Sequence, residues 1–585
     1  MQAKPLLLLG VAALIAIPAI AQQAAQTPQP AQPAPVTNTA TPAPATAPAR
    51  SPATPSGPGE SGVELVSAET LPKPPPPVEY PAWARRDPWE VGLIDPQTAG
   101  LGAQPWGNSS GAFLSTMMRR MQTPIASRWA AIALRNTLIA RTRAPRDVHP
   151  VDWAAERAWL LLRLGEADAA RMLVASVDTN RFTPKMTQVA VQAALATADP
   201  PALCGFEEMI RRHERPISQL VSAMCASLAG EPESASAQID NARRFGRIGG
   251  IDLVLAEKVV GAGSNSRSVT VEWEPVENLS AWRFGLATAT GMTPPDRLIN
   301  RASPQLRAFQ ARAPLLSPAD RIQSALVAAG LGVFSSQSMI DLYSAIYDAT
   351  DPSDLPNSDA YQVRQAFVAA TMDDRVAAVR RILDLGKDGL AKEGARAAAA
   401  RAASLITPDA KYQDEAPDLI AAMLAGGHDR AAARWADAIG DMDDEAADRC
   451  WAMLALASPD AVSLGIAGTR LSSFIRRDDS PGKRRSGLLV AGLAGLGRIS
   501  ASSASGYSRS NGFGLGLETS WTRMITGAAR RGQGGTAVIL AASGLQGIAP
   551  DQIPPAHLYR VLAALKATGQ DYTARMIAAE ALART

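Results

Sequence analysis

The sequence predicts an all-α protein: an array of antiparallel helical hairpins of α-solenoid type, preceded by a disordered Pro/Ala-rich stalk. Three observations predict it. Apolar residues recur at helical spacing from about Asn108 onward. Ser-Pro and Thr-Pro dipeptides punctuate that region in the manner of helix starts. Alternating strand patterns are nearly absent, and the clearest, Val269, Val271 and Trp273 in SVTVEWEP, reads as a short extended connector.

Composition narrows the classes. A chain of 585 residues with 46% hydrophobic and 5% aromatic residues builds its core from Ala and Leu rather than from rings. A formal net charge of +3 is too small for a nucleic-acid footprint, so no nucleic acid is expected as a partner. The preference for Arg over Lys, with abundant Ala, reflects the codon supply of a GC-rich bacterial genome rather than a function.

The elements follow in order. Residues 1–21 have the three parts of a secretory signal peptide: Lys4, an apolar run from Pro5 to Ile17, and small residues at Ala19 and Ala21 before the cleavage point. The run is shorter than the about 20 residues a bilayer-spanning helix needs, so the mature chain is expected in the periplasm without a transmembrane helix. The alternative is an uncleaved inner-membrane anchor. Residues 22–88 form the linker, rich in Pro, Ala, Thr, Gln and Ser, and unable to bury enough apolar surface to order itself. Extended, the roughly 60 residues from Gln22 to about Pro81 reach on the order of 180 Å.

Helical arrays are expected over 89–262 and 296–480, with an irregular connector at 263–295 marked by Gly263, Pro275, Pro294 and Pro295. A C-terminal helical region, 481–585, carries a Gly/Ser-rich loop at 498–517. Helix starts are expected at Thr123-Pro124, Thr183-Pro184, Thr293-Pro294, Ser303-Pro304, Ser317-Pro318, Thr407-Pro408 and Ser458-Pro459. Faces are legible between them: Ala154, Ala158, Leu161 and Leu162 form one, and Ile322, Ala325, Leu326 and Ala329 another.

One turn recurs. Gly165-Glu-Ala-Asp168, Gly427-His-Asp429 and Gly569-Gln-Asp571 each follow an apolar helix and precede an Ala-rich one. These stretches resemble the hairpin turns of tetratricopeptide and Sel1-like repeats. The resemblance covers three short stretches, without the family's steady 34-residue spacing or its aromatic positions. It implies stacked hairpins and, with them, a surface that binds protein segments.

Cys204 and Cys225 stand about equally far from a turn near Glu214-Arg215-Pro216, so in an antiparallel hairpin they face each other and are expected to pair. Closing a loop of about 20 residues stabilises by roughly 3 kcal/mol in the chain-entropy account. Cys450 is left over in a helical context, where a thiol is a small buried hydrophobe or a reactive group.

No catalytic, cofactor-binding or metal-binding set emerges. His149, His213, His428 and His557 lie outside any paired zinc spacing. Ser480-Pro-Gly-Lys483 matches S-x-x-K, but Pro481-Gly482 spoils the helical turn that pattern needs, and K-T-G is missing. Asp441-Met-Asp443-Asp444-Glu445 lacks the Gly and Glu of a calcium loop. Glu518 and Glu580 are the carboxylates a lysozyme-like C-terminal region would offer, and neither lies in the Glu-Ser context of a lytic transglycosylase.

The expected function is a periplasmic scaffold, not an enzyme, that binds another protein or an envelope component. Its contacts are expected on Arg-bearing faces and on Tyr507, Arg509, Asn511 and Phe513 of the 498–517 loop. The alternatives are an envelope enzyme with an unrecognised site, or a spacer subunit docking through the terminal helix 569–583 with Tyr572, Met576, Ile577 and Leu582, although a capping helix already packed on its neighbour is the favoured reading of that segment.

Overall fold

Three of the seven Ser/Thr-Pro dipeptides expected to start helices do so. Thr183 accepts from the Met186 amide and Ser317 from the Asp320 amide, each at 3.1 Å, starting the helices Pro184–Ala196 and Pro318–Leu331. Ser303-Pro304 starts Pro304–Arg312. Ser458-Pro459 instead ends a helix, with Ser458 the C-cap of Asp444–Ala457, and Thr123, Thr293 and Thr407 lie in connections. Proline pushes the residue before it into extended backbone, which suits the end of one helix as well as the start of the next.

The computed structural model describes residues 81–585 apart from 264–268, 388, 462–463, 467 and 548–551. The expected signal peptide and all but the last residues of the linker lie outside the described residues. The described chain holds 27 α-helices and one small antiparallel pair of strands, Glu90–Val91 and Thr142–Arg143. The linker ends earlier than residue 88. Ala82–Ala84 forms a 3-10 turn, the Arg86 amide donates to Asp178 Oδ2 at 3.1 Å, and the Trp89 carbonyl accepts from the Ala144 amide at 2.7 Å.

The three recurring turns are one structure. Gly165, Gly427 and Gly569 have φ of 90°, 83° and 91°, the left-handed backbone that glycine adopts without strain. In each, the glycine amide donates three residues back and the next amide five residues back, to Leu162 and Leu161, to Leu424 and Met423, and to Lys566 and Leu565. Those paired bonds satisfy carbonyls that a helix end leaves open, and fix the angle at which the second helix departs.

The hairpins share a main apolar core running from Val91 to Leu582 and a second, smaller one between Val191 and Leu298. The connector expected at 263–295 is not irregular throughout. Ser280 caps a helix, Ala281–Ala289, which packs between Pro184–Ala196 and Ile251–Gly263 and buries Phe284 and Leu286. Sequence punctuation hid it because Pro294 and Pro295 follow the helix rather than interrupt it.

The array closes on itself. The Ala126 amide donates to the Leu545 carbonyl at 2.9 Å, and the Thr536 amide to the Pro105 carbonyl at 3.2 Å. The Asp571–Ala583 helix is therefore not an open end. It packs on Arg128–Ile139, Ala416–Ala425, Asp444–Ala457, Arg484–Gly495 and Pro555–Ala567. Met576, Ile577 and Leu582 are buried, and Tyr572 is only partly exposed. The docking face expected on this helix is already covered.

Many arginines expected on contact faces turn inward to cap helix C-termini, where unpaired carbonyls carry the negative end of the helix dipole. Arg128 donates from Nε to the Ala329 carbonyl at 2.8 Å and from Nη1 to the Ala425 carbonyl at 2.7 Å, joining two helix ends. Arg163 reaches the Met118 and Arg119 carbonyls, Arg434 that of Ser404, and Arg498 those of Ala455 and Ser458. Arg157, fully buried, donates to the Val91 carbonyl at 2.6 Å and the Ala140 carbonyl at 3.0 Å. Burial pushes its pKa down to about 9.

Candidate functional site

A cleft of about 950 Å³ has a wall of charges of both signs. Acidic residues enter it from the first turns of Asp444–Ala457, where the helix dipole favours them. Asp443 caps that helix by accepting from the Ala446 amide at 2.9 Å. Asp444 and Asp448 lie one turn apart on its cleft side. The acids once weighed as a calcium loop are thus helix-terminal groups.

Opposite stands the Thr469–Arg477 helix. Arg477 grips Asp448 as a fork, Nε to Oδ2 and Nη2 to Oδ1, both at 2.7 Å, and Arg470 adds a contact at 3.1 Å. Two-point pairing of this kind fixes the plane of the carboxylate. Asp478 follows the helix. Burial pushes its carboxyl up, but hydrogen bonds from Ser480 and Ser486, by side chain and backbone, outweigh that and leave its pKa below the ordinary carboxylate value. This accounts for the S-x-x-K match: Ser480 Oγ donates to Asp478, and Lys483 Nζ donates to the Ile475 carbonyl as a helix cap.

The third wall is an ion-pair chain that continues into the protein. Arg396 Nη1 meets Glu393 Oε1 at 2.9 Å, and Arg584 lies 3.5 Å from the same oxygen and 2.7 Å from Glu580 Oε1. Glu580 in turn accepts from Ser127 Oγ at 2.5 Å and from the Arg128 and Trp129 amides at 2.8 and 3.2 Å. It is the anionic cap of the Arg128–Ile139 helix, which occupies the carboxylate that a lysozyme-like reading would have used.

The wall charges are therefore largely paired with one another. Lys392, Arg449 and Glu445 differ: they line the cleft, are exposed, and have no hydrogen-bond or ion-pair partner among the described residues. Arg449 follows Asp448 directly, so the same helix supplies one charge tied to the wall and one free to meet a ligand. Among the described residues, no histidine or cysteine lines the cleft.

The residues expected to make contacts lie elsewhere, and the 498–517 segment is helical over Ala501–Asn511 rather than a loop throughout. Ser500 accepts from the Ser503 amide at 3.1 Å and caps a helix, Ala501–Asn511, ended by Gly512 at φ 71°. Phe513 is buried, Tyr507 is half-buried with its hydroxyl 3.1 Å from Ser472 Oγ, and Asn511 donates to the Tyr507 carbonyl at 2.9 Å. Arg509 alone of the four is exposed. Serine and glycine favour helix weakly, and packing of Ala504 and Ser508 inward overrides that preference.

The expected disulfide is present. Cys204 and Cys225 are bonded with their Cα atoms 5.5 Å apart. Such a bond belongs to an oxidising compartment. Cys450 is free and fully buried, and burial pushes its thiol up to about 12, so it behaves as a core hydrophobe. His557 Nδ1 lies 3.1 Å from the Gly544 carbonyl with its ring against Trp521. No helix among the described residues is long and apolar enough to cross a membrane.

No family model matches the chain, and no match was found among the curated proteins or the solved structures compared with it.

The sequence held no local signal for the cleft. Its walls come from positions between Gly389 and Thr585, and the pairing of Asp448 with Arg477 crosses a helix boundary. The only legible trace was the acid-rich start of one helix.

Proposed function

We propose that this protein is an exported, periplasmic binding scaffold of hairpin-repeat type, and that its cleft receives an extended, charged polypeptide segment. The observation that carries the reading is the distribution of charge in the cleft. Asp448, Glu393, Arg396 and Arg584 are neutralised within the wall, while Lys392, Arg449 and Glu445 remain free. A wall already neutralised costs little to cover, and the free charges of both signs supply specificity rather than bulk attraction. The signal-like N-terminus and the disulfide support export. The resemblance of the three glycine turns to helical-repeat hairpins supports the scaffold role.

The test is crosslinking and capture from the native envelope with the wild-type chain beside a Lys392→Glu/Arg449→Glu variant. Both side chains are exposed and unbonded, so the variant keeps the fold. A polypeptide captured by the wild type and lost with the variant is the expected result. The same captured set from both chains would sink the reading.

A further inference from the structure

The second core carries a feature that the cleft does not use. Gly230, at φ 81°, reverses the chain between the helices Arg215–Leu228 and Pro232–Phe245, which pack together as an antiparallel hairpin. The first residue of one helix and the last residue of the other therefore lie at the same end. That end holds Phe245, 81% exposed, against 42% for Leu228, the other large exposed apolar side chain of this lobe.

Three cations lie at this end of the hairpin or just after it in sequence. Arg215, Arg244 and Arg247 are exposed, and their side chains have no hydrogen bond or ion pair among the described residues. The nearby carboxylates Asp240 and Glu257 are both held by Arg243, and Glu207 and Glu208 by Arg211 and Arg212. Asp252, in the first turn of the next helix, is held by Arg283, which leaves Glu214, beside Arg215 in sequence. Glu214 is partly buried, and burial raises its pKa.

The tip is also braced. The Cys204–Cys225 bond closes the stretch that contains the Glu207–His213 helix and Arg215, so Arg215 starts from an ordered position. The outer face of the Pro232–Phe245 helix is polar. It buries only Ala235, Ile239 and Ala242, as a helix at the edge of an array does.

We propose that this tip is a contact site for an anionic phospholipid surface, with Phe245 entering the headgroup–acyl boundary and Arg215, Arg244 and Arg247 facing lipid phosphates. The ring stands proud of the surface, and a bilayer interface yields to a protruding side chain. Aromatic and Arg side chains together are the composition that interface favours. The inference does not depend on the cleft.

The experiment is co-sedimentation of the full chain with vesicles of phosphatidylcholine alone and of phosphatidylcholine mixed with phosphatidylglycerol, beside Phe245→Ala and Arg244→Glu/Arg247→Glu variants. The wild type binds the anionic vesicles, binding falls as salt is raised, and each variant lowers the partition coefficient roughly tenfold. Since these side chains are exposed and unbonded, the variants keep the wild-type melting curve, which is measured alongside. Equal binding by wild type and both variants overturns the proposal, as does failure of the wild type to bind anionic vesicles. Salt-sensitive capture of polyglutamate without vesicle binding overturns it too, and assigns the tip to an acidic protein instead.

Discussion

The hydroxyl of Tyr572 donates to the carbonyl of Gly427 at 2.9 Å, so one glycine turn of the array rests on another 145 residues away. Arg575 completes the joint, reaching Asp571 of its own turn at 3.0 Å and Asp429 of the other at 2.8 Å. A Cβ added to Gly427 would stand 2.4 Å from the Tyr572 oxygen, on a backbone already at φ 83°. Gly427→Ala is therefore expected to cost about 2–4 kcal/mol. Tyr572→Phe alone should cost about 1 kcal/mol for the lost bond. The double variant should be less destabilised than the two costs combined, because removing the hydroxyl makes room for the methyl group. Urea denaturation of the four chains measures the coupling, and strict additivity would show that the contact does not matter.

Glu580 governs the closure of the array in the same way. It caps the Arg128–Ile139 helix while pairing Arg584, and it is itself almost fully buried. Glu580→Ala leaves Arg584 and the amides of Arg128 and Trp129 short of a partner and is expected to cost about 3–5 kcal/mol. The loss should be local first. Hydrogen exchange is expected to rise in Arg128–Ile139 and its neighbours before the lobe between Val191 and Leu298 responds.

What the sequence revealed was what is local. The three glycine turns were readable because a left-handed glycine followed by an acid at the next helix start is a signal contained in five residues. The Cys204–Cys225 pair was readable because hairpin register follows from counting outward from a turn. The docking of Gly427 on Tyr572, the cap that Glu580 gives to a helix far away, and the cleft walls all depend on how distant hairpins meet. No spacing encodes that. The Ala501–Asn511 helix was missed for a different reason: its Ser and Gly content argues against helix, and only burial of Ala504 and Ser508 decides otherwise.

The disulfide should stabilise its lobe by roughly 3 kcal/mol, since it closes a loop across a sequence separation of 21. Mild reduction is expected to raise hydrogen exchange in Glu207–His213 and Arg215–Leu228 while the main core keeps its protection. Uniform loss of protection over the whole chain would mean that the two cores unfold as one.

A thiol count separates structural from reactive cysteine. With two cysteines bonded and Cys450 buried at a thiol pKa of about 12, the native chain should show no titratable thiol at neutral pH, and the denatured, unreduced chain one. A thiol that reacts in the native chain would place Cys450 at a surface that opens.

Acid should loosen the edge of the cleft through Asp478. Its folded pKa lies below its unfolded one, because the hydrogen bonds from Ser480 and Ser486 favour the charged form. For a carboxylate shifted in that direction, the folded state binds fewer protons than the unfolded state. The stabilisation is then complete above the unfolded value, near 4, and is lost as pH falls through the folded one. Asp478→Asn cannot titrate at this position. The stability gap between wild type and variant, followed by urea midpoint, is expected to be constant at neutral pH and to close only below about pH 4. A gap that stayed open in acid would mean that the Ser480 and Ser486 bonds hold the carboxyl equally well in its protonated form, and that another group sets the acid limit of the cleft.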